Sequence, residues 1–126
     1  MAYQFGLSGS YTTIPLDGVP SLAPTIGAPI DETMTVATKT EYDQDLTVDT
    51  PVAVQFGGVS AANVVILKST GGKVQARISS ADGSSQVIPF DTVLILMSLS
   101  VPITAISLVR IPATETLVRV YLAQAA

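Results

Sequence analysis

Ten acidic residues, six basic ones and no cysteine, histidine or tryptophan set the chemistry open to this chain. Without Cys or His there is no disulfide, no thiolate or imidazole metal site, no Cys or His nucleophile and no Ser-His-Asp triad. Carboxylates remain. Glu41, Asp43, Asp45 and Asp49 form the densest group of hard oxygen ligands. Calcium takes six to eight oxygens from a looped backbone. Asp43-Gln44-Asp45 begins like such a loop, but the turn glycine and the distal glutamate are missing. Solvated charges around a strand junction explain the group equally well. A glycosidase needs two carboxyls about 5–10 Å apart. Asp91 and Glu115, each next to a strand end, are the pair to name, and no aromatic-rich sugar platform accompanies them. The run Lys68-Ser69-Thr70-Gly71-Gly72-Lys73 fails as a phosphate loop, because Val74 follows the lysine and a strand follows where a helix should. No catalytic, cofactor or metal residue is assigned.

The stretch best suited to function is apolar. Pro15, Pro20, Pro24 and Pro29 are interleaved with Gly6, Gly9, Gly18 and Gly27. Proline removes a backbone donor and restricts the residue before it, so neither a helix nor a central strand fits. Yet the segment carries Ile14, Leu16, Val19, Leu22, Ile26 and Ile30, which is not the composition of a solvated tail. These six side chains are the expected partner-binding residues of an extended arm, residues 1–32. At 1.5–3 kcal/mol each they could supply roughly 10 kcal/mol on docking, before ordering costs. The arm either packs across its own domain and covers an edge strand, or lies on a neighbouring subunit. The second reading is favoured, since the later strands already provide a core.

Residues 33–126 read as one all-β domain, a β-sandwich or jelly-roll-like barrel of eight or nine short strands with no helical period. Thr33 to Glu41 alternates, Leu46 to Val48 is short, and Pro51 allows Val52 to Phe56. Val64-Val65-Ile66-Leu67 is apolar on both faces and reads as central. Gly71-Gly72 stands at hairpin position before Lys73 to Ser79, where Val74, Ala76 and Ile78 alternate with polar residues. Ala81-Asp82-Gly83 marks the next turn. Gln86 to Pro89, Val93 to Ser98, Ile103 to Arg110 and Thr116 to Ala123 follow, with Val118, Val120 and Leu122 inward and Arg119 outward.

The 126 residues suit a single domain, and the net charge of −4 bounds its partners. Lys39, Lys68, Lys73, Arg77, Arg110 and Arg119 are scattered and form no basic stripe, so nucleic acid is not an expected partner. Thr92 to Val109 is an uncharged run of 18 residues. Pro102 and five hydroxyl residues argue against a membrane helix there, and two buried strands broken at Val101-Pro102 account for it better. Met1 to Phe5 lacks the basic start of a signal peptide, so synthesis and use without export are expected. Only 13% of residues are charged while 48% are hydrophobic. That balance suits a homo-oligomer whose surface ends in interfaces.

Asn63-Val64-Val65-Ile66-Leu67, Gly72-Lys73-Val74-Gln75-Ala76-Arg77-Ile78, Pro102-Ile103-Thr104-Ala105-Ile106 and Val118-Arg119-Val120 lie in a Cys-free, Thr/Ser/Ala/Gly-rich chain. In this the chain resembles the small all-β structural proteins of tailed-bacteriophage virions, among them capsid decoration (cement) proteins and tail or neck accessories. The likeness spans residues 63–124. It implies a non-enzymatic virion protein, made in the host cytoplasm, that clamps the major capsid protein or joins other virion proteins. A sugar- or receptor-binding module is the alternative, with Tyr3, Tyr11 and Tyr42 as its aromatic candidates.

Overall fold

The computed structural model describes residues 3–9, 12–13, 25–26 and 30–126. Among them every regular element is a strand. These are β1 (Tyr3–Gly9), β2 (Thr12–Thr13), β3 (Thr25–Ile26), β4 (Ile30–Leu46), β5 (Val52–Ala53), β6 (Val64–Thr70), β7 (Val74–Ser80), β8 (Ser85–Phe90), β9 (Val93–Met97), β10 (Ile103–Arg110) and β11 (Thr116–Ala125). Nine of them form two facing sheets, ordered β1-β4-β11-β6-β9 and β5-β10-β7-β8, while β2 and β3 pair with each other.

The two orders match strand for strand, because four long chain segments each supply both sheets. The segment of β6 and β7 pairs with that of β8 and β9 as one antiparallel ribbon, folded over at its middle. Lys68 pairs with Val93 and Val74 with Phe90, so the corner takes residues 69–73 on one strand and only 91–92 on the other. The longer outside path carries the glycines. Gly71 has φ of +107°, and a Cβ there would stand 2.9 Å from the Glu115 carbonyl oxygen. Gly71-Gly72 is therefore an inter-sheet corner and not the hairpin read from its spacing; the hairpin is at Ala81-Asp82-Gly83, between β7 and β8. The segments of β4–β5 and β10–β11 fold over in the same way. The result is a strongly curled all-β sandwich.

Folding over creates the main core. Leu46, Leu67, Val74, Leu108, Val118, Val120 and Leu122 are almost completely buried between the sheets. A second cluster lies on the outer face of the five-stranded sheet, since its Val64 and Ala123 alternate with the core residues Val65 and Leu122. Met34 and Val36 join it, because a register shift at Ala125 turns them to the face opposite the inward Tyr42 and Leu46. The Phe5 ring stacks on Tyr121 with centroids 5.8 Å apart. Along β4, Met34 (opposite Phe5) and Glu41 (opposite Tyr121) would be about 23 Å apart on a straight strand. The β1/β4 ribbon therefore folds back over the sheet's outer face.

Several strand assignments from sequence change. Thr33–Glu41 and Leu46 belong to one strand of 17 residues, Ile30–Leu46, whose polar middle pairs with β11, while Thr47 and Val48 lie outside it. Val52–Phe56 shrinks to Val52–Ala53. Tyr3–Gly9 and Ile30–Glu32, within the stretch read as arm, are strand: Leu7–Gly9 pairs with Ile30–Glu32, and Tyr3–Gly6 with Thr33–Val36 beyond it. Val93–Met97 is not a buried strand: it ends the five-stranded sheet, with Val93 48% and Ile95 42% exposed.

Candidate functional site

Of the six arm residues, Ile14, Leu16, Val19 and Leu22 lie outside the described residues, as does Tyr11. Ile26 stands in β3 opposite Thr12, and Ile30 opens β4 opposite Gly9.

The acidic group does not converge. Glu41, Asp43 and Asp45 alternate along β4 on its exposed side, where a strand spaces them about 6.7 Å apart in a row. Arg119, across on β11, sits between the first two, 3.9 Å from each. Asp49 is elsewhere, at the bend between β4 and β5. Its carboxylate accepts hydrogen bonds from Arg110 Nε and from the Ala113 N–H, both at 3.0 Å, while Arg110 also donates to the Leu46 carbonyl at 3.2 Å. The Ala113 bond, with Arg110 beside it, holds the Asp49 carboxyl below the usual range. This latch closes two neighbouring bends; it is a structural pin. No three acids gather as a metal cage among the described residues.

Asp91 and Glu115 occupy separate corners, each between strands of different sheets. The Tyr42 hydroxyl accepts the Gln55 N–H at 2.7 Å and its ring packs on the main core, so it is not a free loop aromatic. A cleft of about 290 Å3 opens between the β7–β8 hairpin and β9, with Asp82, Gln86 and Leu96 in its wall. Asp82 is already occupied, accepting from the Ser84 hydroxyl at 2.6 Å and N–H at 2.9 Å.

The feature that stands out is an edge. Between β6 and β9, Ser98 N–H donates to the Asn63 carbonyl at 2.8 Å and Ser69 N–H to the Thr92 carbonyl at 2.9 Å. Antiparallel ladders alternate, so Thr92, Leu94, Leu96 and Ser98 turn their backbone groups toward β6. Val93, Ile95 and Met97 turn theirs outward, with no backbone partner among the described residues. Their side chains leave the core as well: Leu94 and Leu96 pack inward, whereas Met97 joins the outer cluster. Two opposed rows run across the outer face to this edge. One is Asp43–Arg119–Lys68–Val93, the other Glu41–Tyr121–Ile66–Ile95. The face thus grades from acidic through basic to apolar.

Sequence reading took this strand to be buried. Its signal was present in the uncharged run from Thr92 to Val109, but only the pairing shows that part of the run is an edge among the described residues. Comparison of the chain with protein-family models, curated proteins and solved structures returns no match.

Proposed function

We propose that the protein is a non-enzymatic structural component of a virion, a capsid decoration protein that stabilises the shell by burying apolar surface against the major capsid protein. The observation that carries this reading is that, among the described residues, the main core is built from the strands after the arm. Among the described residues its fully buried members run from Leu46 to Leu122, and the first residue to pack on it is Tyr42. On this reading the aliphatic side chains Ile14, Leu16, Val19, Leu22, Ile26 and Ile30 are what the chain offers to an assembly. Binding of that kind adds free energy to the assembled state alone.

The test is co-sedimentation with expanded capsids of the encoding phage. Intact protein should pellet with the shells, while a chain lacking residues 1–29 keeps its β-sheet circular dichroism and stays in the supernatant. Equal pelleting of the two would overturn the role of the arm, and failure of the intact chain to bind any shell would overturn the virion reading.

A further inference from the structure

We propose that β9 is a self-association strand, pairing antiparallel with β9 of a second copy across a two-fold axis at Ile95 and joining two five-stranded sheets into one. The inference concerns the protein alone in solution and does not depend on the virion reading. Outward backbone groups at Val93, Ile95 and Met97 are symmetric about Ile95. A two-fold axis there sets Ile95 opposite its own counterpart and Val93 opposite the other copy's Met97, each donor meeting an acceptor. An isologous interface requires that self-complementarity.

The side chains agree with the register. Val93 and Ile95 are 48% and 42% exposed, and the half-buried Ile66 and Met97 continue the apolar surface behind them. Pairing would merge the bands of two copies into one apolar strip, supported by cross-strand aliphatic pairs. No charge lies between Thr92 and Val109, so the seam brings no like charges together. Leu99, 60% exposed, follows the strand at the flank of the seam.

The rival occupant is a strand from the arm of another subunit. Pro15, Pro20, Pro24 and Pro29 leave at most four residues between successive prolines, fewer than the five of β9. Each proline also removes a donor from any ladder it enters. The second copy fits better.

The chain has no cysteine, which permits a clean test. Residues facing each other in a hydrogen-bonded antiparallel pair have Cα atoms about 5.5 Å apart, within disulfide reach. Under mild oxidation Ile95→Cys should yield a covalent dimer on a non-reducing gel. Val87→Cys, on the exposed β8 strand, should give no covalent dimer on the same gel. Light scattering on the full chain should give the mass of a dimer, and Ile95→Lys should weaken that dimer at least tenfold with unchanged circular dichroism. Three results would each overturn the proposal: a monomer of the full chain at high concentration, equal cross-linking of the two cysteine variants, or any oligomer that ignores Ile95→Lys. Should Ile95→Lys misfold, the two cysteine variants decide.

Discussion

β8 and β9 are made by the same folded ribbon, end their sheets on the same side of the sandwich, and differ in how their edges are left. On β8, the bond from Ser80 N–H to the Ser84 carbonyl places Ser85, Val87 and Pro89 on the outward-bonding positions. Pro89 has no N–H to offer there, and it breaks the ladder that another strand would need. On β9 the same positions hold Val93, Ile95 and Met97, with no proline, charge or bulge. Proteins that must stay single blunt such edges, because an open row of donors and acceptors templates pairing with another chain. One edge of this ribbon is blunted and the other is not, so the open edge is read as a joint.

The largest way to break the contrast is to remove what holds β9 in place. Leu67 is fully buried behind β9, opposite Leu94. Leu67→Ala should cost about 2–5 kcal/mol in a denaturant titration, and self-association should fall with it. A loss below 1 kcal/mol would mean that β9 is not anchored through this position.

Gly71→Ala comes next, because both edges hinge on that corner. A Cβ would meet the Glu115 carbonyl at 2.9 Å in a conformation side chains rarely adopt. The expected loss is about 1–3 kcal/mol. Gly83→Ala is the comparison: it has positive φ but nothing within 4 Å, so it should cost less. A hairpin glycine more sensitive than the corner glycine would contradict the folded-ribbon geometry.

Pro89→Ala sharpens the contrast from the other side. It restores an outward N–H on β8 and should give a second, concentration-dependent association by sedimentation velocity. The fold itself should lose no more than about 1 kcal/mol, through greater freedom of the unfolded chain. Association unchanged from the parent would show that Pro89 guards nothing.

The smallest effects are in pH dependence, and the two regions differ in sign. At the β7–β8 hairpin the Ser84 hydroxyl and N–H hold the Asp82 carboxyl below its ordinary value. Its contribution is present above about pH 4 and lost as pH falls through the lower folded pKa. On the face leading to β9, burial and then the charge of Glu41 push the Tyr121 hydroxyl up. That contribution is present below about pH 10 and lost as pH rises through the raised value. Thermal melts of Asp82→Asn should lose part of the acid limb only. Tyr121→Phe, which keeps a ring against Phe5, should flatten the alkaline limb only.

Much of the strand pattern was readable without a structure. The alternation of Val74, Ala76 and Ile78, and of Val118, Val120 and Leu122, places these side chains in the core where they are found. The polar stretch Glu41 to Asp45 was harder, because half of its residues face solvent and the strand is held by β11. Nothing local distinguishes such a strand from a loop. The edge was hardest: Val93-Leu94-Ile95-Leu96-Met97 has the same composition whether a neighbour covers it or not.

By itself the sequence determined the all-β class, the turn at Ala81-Asp82-Gly83, the inward residues of the half-buried strands and the charge-free run that contains β9. Each follows from local physics: a side-chain period of two, the φ freedom of glycine and the cost of burying charge. Only the tertiary structure decided that Gly71-Gly72 turns a corner between sheets, that β1 folds back onto Tyr121 and that β9 has no neighbour beyond it among the described residues. Those outcomes depend on which distant segments share hydrogen bonds. The pleat of a single strand does not encode which side of it another strand will occupy.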